Sequence, residues 1–410
     1  MLRRSFIDNL GEGAIGVYLT EPKHGLTSPL NITEVLANLR GRYQVSTNRY
    51  VTRLNVPQNF YTEVCAGILP ETSAQLRLAS PVAYPFVTFD WVSGLHNGID
   101  SGCRGAVMVA DSRTFISMSQ RLEGVYSSPG QKETSWSMFS VTDTMIYASQ
   151  LLGVYGSKST SMPGPLPMRT LTVTPIKSGR ILYNEKTTVY SCLENTAAYF
   201  FTISVGVPAG KTATVRLLLG GALQTFEITR QNNETNGTTT LARSILVPCA
   251  LDAQLNLING EVDYHGKLVS FTAFPYAIRK GNSVSWAGYR TSNLEKTGTV
   301  FYDQWLVMQR ARFGIVNGTI VIPASGYYYV YLSAGVHPGC GLAMSLMNNA
   351  ELLFGLTRTA TNHNGFDTIG HGMVVHLSAW DALRVESNTT AYSTSDGLHT
   401  SFIGMLLYHD

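Results

Sequence analysis

Charged residues are scarce in this chain, and long apolar runs are missing from it. Asp, Glu, Lys and Arg together make up 14% of the 410 residues, and the formal net charge is +3. So small a charge gives little attraction to a polyanion, and Lys and Arg form no stripe, so we expect no nucleic-acid partner. No run of eighteen apolar residues occurs either, and we therefore expect no membrane-spanning helix.

The cysteines are too few and too widely spaced for a dense disulfide framework. They include no C-x-x-C pair, so a zinc site is not expected. One bridge, two bridges or none are all compatible with the spacing, and cysteine usage does not settle the compartment. The five residues are Cys65, Cys103, Cys192, Cys249 and Cys340.

The first ten residues contain basic side chains but no apolar stretch after them, which is not typical of a signal peptide. Either the protein is not secreted by that route, or the numbering starts on a processed or truncated chain. Five Asn-x-Ser/Thr sequons are candidate glycosylation sites, although a chain rich in Asn, Ser and Thr should contain about as many by chance. They are Asn31, Asn233, Asn236, Asn317 and Asn388.

Ser, Thr, Gly, Tyr and Val take the place of the charged residues, and this exchange favours strands and turns over helices. Short aromatic or β-branched runs are bounded by Gly, Pro and Ser, as in the run from Gly326 to Leu332. Many short strands with such turns predict an all-β chain of sandwiches or barrels. The length predicts two or three domains.

An internal repeat is the main signal in the sequence. Three aromatic segments, each a strand that runs into a turn, share a glycine at the positions Gly67, Gly206 and Gly335. In copies two and three an Asp-led strand begins 46 residues after this glycine, at Asp252 and Asp381. Both copies then close on a strand that begins with Ser-Phe. Because several landmarks agree in order and spacing, chance is a poor explanation.

The first copy matches less well. Its Asp-led strand is assigned to Asp143, which lies 76 residues after Gly67 rather than 46. This spacing predicts an insertion of about thirty residues, which we place near 83–103. A longer loop or hairpin is the favoured interpretation of the insertion, and a ligand or partner surface is the alternative.

The third copy resembles the C1q-like domain of the C1q and tumour-necrosis-factor superfamily. It has the family's apolar strand ending in Pro, the Gly-x-Tyr strand, the Asp turn and the closing Ser-Phe-x-Gly-x-Leu-Leu strand, with Trp380 where the family usually has Gly. The resemblance is clearest for 284–410 and extends to the other copies through the internal alignment. The signature residues are Gly326, Tyr328, Asp381, Phe402 and Gly404.

The resemblance implies tandem jelly-roll β-sandwiches of C1q/TNF-like type, which we divide into 1–177, 178–283 and 284–410. The segment Leu171–Pro175 either closes the first copy or opens the second. Modules of this family pack in threes around an axis, so the expected partner is the chain itself, as a trimer or as an intrachain pseudo-trimer with further self-assembly. Calcium is implied by the resemblance alone, because no carboxylate cluster in the sequence identifies a site.

Motifs for catalysis are weak. Gly11–Gly16 fits G-x-G-x-x-G by letters, but a strand follows it where a nucleotide site needs a helix. His371 and His376 lie five residues apart on a predicted strand, so they face opposite sides and cannot share a metal. The repeated aspartates are interpreted as turn residues, and Tyr327–Tyr329 as core and interface packing rather than a glycan platform. We expect no enzyme activity and no cofactor.

These features favour a non-enzymatic extracellular structural or assembly protein built from C1q-like modules around threefold or pseudo-threefold axes. One alternative is a soluble, lectin-like recognition protein that binds glycans or proteins through its loops. A viral capsid or fibre protein is a second alternative. The fold alone does not separate these uses.

Overall fold

The computed structural model describes most of the chain, and its regular elements are β-strands, with a 3-10 turn at Val45–Thr47. The predicted all-β class is confirmed. No helix in the described part is long and apolar enough to cross a membrane. The described residues are 14–19, 30, 32, 34–39, 43–51, 58–69, 72–79, 87–92, 100–110, 115–122, 125–128, 131–141, 152–156, 160–166, 168–173, 183–184, 189–191, 198–220, 225–232, 238–248, 252–262, 270–276, 283–314, 317–358 and 366–410.

The first eleven strands form two antiparallel sheets, which together we call the first sandwich. These strands are β1 (Ala14–Tyr18), β2 (Glu34–Asn38), β3 (Tyr43–Gln44), β4 (Arg49–Val51), β5 (Gln58–Ile68), β6 (Ser73–Ala79), β7 (Val87–Val92), β8 (Asp100–Ala110), β9 (Phe115–Leu122), β10 (Val125–Tyr126) and β11 (Ser135–Ser140). The inner sheet has the order β2-β1-β11-β5-β8, with β10 on the end of β5. The outer sheet has the order β3-β4-β9-β6-β7.

The next eleven strands form the second sandwich. They are β12 (Leu152–Gly156), β13 (Gly164–Pro165), β14 (Met168–Val173), β15 (Tyr183–Asn184), β16 (Val189–Ser191), β17 (Ala198–Pro208), β18 (Lys211–Leu219), β19 (Thr225–Asn232), β20 (Thr238–Pro248), β21 (Asp252–Gly260) and β22 (Ser270–Tyr276). The inner sheet runs β14-β12-β22-β17-β20, and the outer sheet runs β15-β16-β21-β18-β19 with β13 on β21.

The last eleven strands form the third sandwich. They are β23 (Ser285–Tyr289), β24 (Gly298–Thr299), β25 (Gln304–Gln309), β26 (Arg312–Gly314), β27 (Thr319–Val321), β28 (Gly326–Val336), β29 (Leu342–Asn348), β30 (Glu351–Arg358), β31 (Asp367–Leu377), β32 (Ala382–Ser387) and β33 (Ser401–His409). The inner sheet runs β25-β23-β33-β28-β31, and the outer strands run β26-β27-β32-β29-β30 with β24 on β32. One pairing, Arg358 with Asp100, joins this outer sheet to the inner sheet of the first sandwich.

The same strand order therefore occurs three times, and β5, β17 and β28 hold the same position in the three inner sheets. Each of these strands has eleven residues and is buried on both faces along most of its length. In β28, Tyr328 and Val330 pack in the core of the third sandwich, whereas Tyr329 and Tyr331 join a cluster with residues of the other sandwiches. This double burial explains the continuous apolar sequence of the strand, since a half-buried strand would alternate.

The predicted boundary at residue 177 does not coincide with the strand pairing. β12 and β14 precede that residue, yet β12 pairs with β22 and so belongs to the sheet of β17. The described part of Leu171–Pro175 lies in β14 and opens the second sandwich. The first sandwich closes on β11, which pairs with β1 and β5 as β33 pairs with β23 and β28.

The sequence predicts an insertion near 83–103, and the described part of this segment is formed by strands. It contains β7 and the start of β8, which hold the sheet positions of β19 and β20 in the second sandwich. The predicted Asp-led strand of the first copy, at Asp143, lies outside the described residues. The strand at the position of β21 and β32 is instead β9, which begins at Phe115, 48 residues after Gly67.

The closing strand of the third sandwich shows why a glycine is needed in the signature. A side chain at Gly404 would place its Cβ 2.0 Å from the ring of Trp286, a buried residue on the neighbouring strand β23. Trp286 also packs edge-on against Phe402, with 5.6 Å between the ring centroids. Large rings on one strand therefore require a small residue on the next.

Candidate functional site

Three buried rings, one from each sandwich, meet at the centre of the molecule. Tyr61, Phe200 and Tyr329 each lie six residues before the shared glycine of their copy. The ring centroids are 5.3, 5.6 and 5.7 Å apart, with interplanar angles of 82° to 89°. Each ring thus meets the other two edge-on, a favourable arrangement for aromatic groups. The nearly equal contacts approximate threefold symmetry, and we call this group the axial triad.

The closing strands add a second set of apolar side chains around the axial triad. Phe139 on β11 lies 5.1 Å from Tyr61, and Phe274 on β22 stacks on Phe200 at 4.8 Å, measured between ring centroids. Met405 holds the same position on β33 and belongs to the same buried cluster. Because these residues come from all three sandwiches, the cluster links their inner sheets without a gap.

A layer of polar groups lies beside the axial triad. The Thr202 hydroxyl donates a hydrogen bond to the Tyr61 hydroxyl at 3.0 Å and lies 3.0 Å from the Ser244 hydroxyl. The Ser244 hydroxyl in turn lies 3.2 Å from that of Tyr329. The Tyr329 hydroxyl donates to Oε2 of Glu63 at 2.5 Å. These five side chains form one hydrogen-bonded group, the axial polar cluster, in which all three sandwiches take part.

Glu63 is the acidic member of the axial polar cluster and has no exposed surface. Its Oε1 atom is buried without a hydrogen-bond partner. Burial raises the pKa of Glu63 to about 7, although the hydrogen bond from Tyr329 acts in the opposite direction. The carboxyl group fits here only because Gly372 stands opposite, since a Cβ there would lie 2.2 Å from Oε2. Burial also raises the pKa values of Tyr61 and Tyr329, so both phenols stay neutral.

A disulfide joins Cys65 and Cys103 on the neighbouring strands β5 and β8. Both sulfur atoms lie within 4.8 Å of a carboxylate oxygen of Glu63. The bonded sulfurs are not thiolates, so this group offers a metal only one anionic ligand. Calcium does not fit either, because it needs six to eight oxygens and the nearby hydroxyls are engaged with one another. Cys340 is free and exposed, and Cys192 and Cys249 lie outside the described residues.

Buried polar contacts also join the second sandwich to the third. Arg230 on β19 and Arg358 on β30 both contact Oδ2 of Asp367, at 3.2 and 2.8 Å. Arg243 on β20 donates to the backbone carbonyls of Gly397 and Leu398. Burial lowers the pKa of Arg243 to about 10, which still leaves the guanidinium charged at neutral pH. Arg230 and Arg243 therefore tie the second sandwich to specific points of the third.

The first sandwich makes its own contacts with the other two. His371 on β31 lies between the Ser135 hydroxyl and the Gly355 carbonyl, with both ring nitrogens at 2.9 Å. Burial lowers its pKa to about 4, so the ring is neutral over most of the pH range. On the other side, the Ser204 hydroxyl donates to the Gly105 carbonyl at 2.9 Å. Each pair of sandwiches is thus joined by hydrogen bonds from buried groups.

The signature residues of the sequence lie in the third sandwich and not at the axis. Tyr328 and Phe402 are buried in its core, and the Tyr328 hydroxyl donates to the Ala324 carbonyl at 2.6 Å. Gly326 begins β28, where a Cβ would approach the Tyr408 carbonyl oxygen to 2.2 Å. Asp381 holds a turn, since Oδ2 accepts from the Ser378 backbone and the Asn348 amide.

The sequence interpretation assigned Tyr327–Tyr329 to core and interface packing, but it named no axial partner from the other two copies. The available signal for the triad was the common offset of six residues from the shared glycines. Glu63 carried no such signal, because the equivalent positions hold Thr202 and Tyr331. The two histidines behave as expected: His371 is buried, whereas His376 is exposed and pairs with Asp410.

Two of the five sequons lie in the described part of the chain. Asn317 and Asn388 are both exposed. The Asn317 side-chain oxygen accepts a hydrogen bond from Thr319, the last residue of its own sequon, at 2.7 Å. Asn31, Asn233 and Asn236 fall outside the described residues.

One surface pocket of the third sandwich is open and is lined mostly by polar residue types. It has a volume of about 770 Å³ and lies between the loop 290–296 and the segment 392–395. The Arg290 guanidinium is held against the loop by the carbonyls of Phe301 and Asn293. The ring of Tyr392, which lines the pocket, stacks on Phe366 at 3.7 Å. The pocket thus combines hydroxyl, amide and charged groups beside a pair of stacked rings.

Comparison with known proteins identifies the third segment. The C1q domain family model matches residues 286–407, and the predicted resemblance of this segment is confirmed. Among solved structures, the globular domain of the zebrafish complement 1qA protein is 14% identical over 32% of this chain and 99% of its own, with a TM-score of 0.25. Eiger TNF from S. frugiperda is 13% identical over 31% of this chain and 94% of its own, with a TM-score of 0.27. No curated protein matches the chain.

Proposed function

We propose that this chain, whose residues 286–407 match the C1q domain, is a non-enzymatic structural protein that folds as an intrachain pseudo-trimer. The observation that carries the proposal is the axial triad, in which Tyr61, Phe200 and Tyr329 contribute one ring from each sandwich. A C1q-like module alone would expose such an axial face to water. Three modules in one chain cover this face for one another, so no second chain is needed there.

The pseudo-trimer requires three modules, and the strand order supports this division. We propose that the first module ends after β11 and that the second begins by Leu152, at the start of β12. The second ends after β22, and the third begins by Ser283. Each proposed module then holds one complete inner sheet and one complete outer sheet.

Solution mass tests the pseudo-trimer directly. Size-exclusion chromatography with light scattering on the dilute full chain should give a species of one chain, 44.8 kDa. A stable species of three chains would contradict the intrachain arrangement and favour layers of trimers. The measurement should be repeated over a hundredfold range of concentration, because a weak trimer would dissociate on dilution.

We further propose that pseudo-trimers assemble with copies of themselves outside the cell. The low charge, 14% of residues, reduces repulsion between copies, and the buried disulfide suits an oxidising compartment. Electron microscopy of the concentrated protein distinguishes the outcomes. Filaments or networks would support an extracellular structural role, and closed shells of uniform diameter would favour a viral capsid instead. Single particles at every concentration would contradict assembly.

A recognition role is the second candidate, and the open polar pocket of the third sandwich favours it. Oligosaccharides bind where hydroxyl and amide groups lie beside aromatic rings, and the pocket brings such groups together. An oligosaccharide array with the full chain would test this role. Substitution of the pocket residue Lys296 by Ala should then reduce binding, while Thr297→Ala, exposed but outside the pocket, should not. No binding by the wild type would remove this candidate.

A further inference from the structure

The axial polar cluster contains an acid at a point where three sandwiches meet. Glu63 belongs to the first sandwich, its hydrogen-bond donor Tyr329 to the third, and the linked Thr202 and Ser244 to the second. The cluster is completely buried, so any change of charge at Glu63 acts on all three sandwiches together.

We propose that the Glu63 carboxyl is a pH-dependent latch, which holds the three sandwiches closed while protonated and loosens the axis when it ionises. This proposal rests on the intrachain pseudo-trimer. The neutral group brings no charge into the buried cluster, and its Oε2 accepts a hydrogen bond from Tyr329. The carboxylate would place its charge partly on Oε1, which has no donor near it. An uncompensated buried charge is costly, so ionisation favours an open axis that admits water.

Within the described part of the chain, the groups that face Glu63 offer the carboxylate no nearby cation. On its own strand, Tyr61 is the facing phenol, and β28 contributes Tyr329 and Tyr331, all with pKa values raised by burial. The neighbouring strand positions on β8 and β11 are Gly105 and Ser137, and neither residue titrates.

The cations of the packed strands point away from the cluster. Arg104 on β8, Arg243 on β20 and His371 on β31 each precede the residue that faces the axis by one position. Successive side chains of a strand point to opposite faces, so these three lie on the far face of their strands. Arg243 and His371 are also engaged with backbone carbonyls there.

The sign of the effect follows from the direction of the pKa shift. The pKa of Glu63 is raised from 4.5 to about 7 in the closed form, so the closed form holds the proton more tightly than an open form does. The latch is therefore fully effective below pH 4.5 and is lost as the pH rises through about 7. Because the pKa of Glu63 rises from 4.5 to about 7 on closing, its ionisation can increase the population of the open form by at most about 300-fold.

Hydrogen exchange of the full chain tests the latch, with the wild type and Glu63→Gln compared at the same pH so that intrinsic exchange rates cancel. At pH 5.5, peptides from β5, β17 and β28 should exchange at similar rates in both proteins. At pH 8.5 these peptides should exchange about tenfold or more faster in the wild type. Glu295→Gln, an exposed carboxylate in a loop, is the matched control and should behave as the wild type does. If the ratio of the wild-type exchange rate to the Glu63→Gln exchange rate is the same at pH 5.5 and pH 8.5, the proposal is overturned.

The pH midpoint gives a second readout, which does not depend on the folding of Glu63→Gln. Because the Tyr329 hydrogen bond lowers the pKa of Glu63, Tyr329→Phe should move the midpoint of axial loosening to higher pH. Loss of packing alone would change the exchange rates but not the pH midpoint of loosening. If Tyr329→Phe leaves this midpoint unchanged, the latch is therefore overturned. If light scattering gives a one-chain mass but hydrogen exchange shows no effect of pH, only the latch is contradicted. A three-chain mass contradicts the pseudo-trimer itself.

Discussion

Arg230 and Asp367 belong to different sandwiches, and the guanidinium Nη1 lies 3.2 Å from the carboxylate Oδ2. The two side chains are only 4% and 0% exposed. Arg358 of the third sandwich shares the same carboxylate oxygen at 2.8 Å. One buried acid therefore connects two sandwiches through two arginines, and a buried ionic group of this kind fixes geometry more than it adds stability.

Replacing Arg230 by Met should lower the free energy of unfolding by about 2–3 kcal/mol, measured by urea denaturation. The loss stays below that of a fully unpaired buried charge because Arg358 remains beside Asp367. The matched control is Arg216→Met, which breaks the partly exposed pair with Glu227 on the same outer sheet. This change should cost less than about 1 kcal/mol. Equal losses for the two variants would contradict a special role of the buried pair.

Truncating a ring of the axial triad should destabilise the whole chain. Phe200→Ala removes a fully buried ring from contact with Tyr61 and Tyr329, and we expect a loss of about 3–5 kcal/mol in the free energy of unfolding. Phe301→Ala, at an exposed position, should change it by less than about 1 kcal/mol. If the three sandwiches were independent, only the transition of the second would shift, and thermal scans would show separate transitions.

Much of the fold follows from local sequence. The aromatic run in β28 predicted a strand packed on both faces, and Tyr328 and Tyr329 are indeed buried on opposite faces. The register of the first copy was harder to read, because its predicted Asp-led strand at Asp143 lies outside the described residues. β9 begins at Phe115, 48 residues after Gly67 and close to the spacing of 46 in the other copies, but no aspartate stands at its first position.

The axial site was beyond sequence reasoning for a different reason. Contact between Tyr61 and Tyr329 depends on how the sandwiches are rotated about the axis, and no local pattern encodes that rotation. Glu63 sits within a strand of mostly buried residues, where a single acid is typical of a solvent-exposed edge. Its burial results from the second and third sandwiches, which lie far away in the sequence.

Acid should destabilise the protein through His371. Its pKa is lowered from 6.5 to about 4 in the folded chain, so the unfolded chain binds more protons between those values. The His371 contribution to stability is therefore lost as the pH falls from 6.5 towards 4, by about 2–3 kcal/mol at pH 4.5, while protonation of Glu63 acts in the opposite direction. His371→Gln should lose less between pH 7 and 4.5 than the wild type does, measured by urea denaturation. If His371→Gln loses as much stability between pH 7 and 4.5 as the wild type does, the assignment to His371 is contradicted.

Trp380 occupies a turn at a φ angle of 75°, and its side chain is 77% exposed. A left-handed backbone costs a non-glycine residue about 1–2 kcal/mol, and the C1q-like pattern usually has Gly at this position. Trp380→Gly should therefore raise the free energy of unfolding by about 1 kcal/mol, since little packing is lost from so exposed a ring. Trp380→Ala removes the same ring without relieving the backbone and should give no gain. If Trp380→Gly and Trp380→Ala unfold at the same temperature, the left-handed backbone at Trp380 does not destabilise the protein.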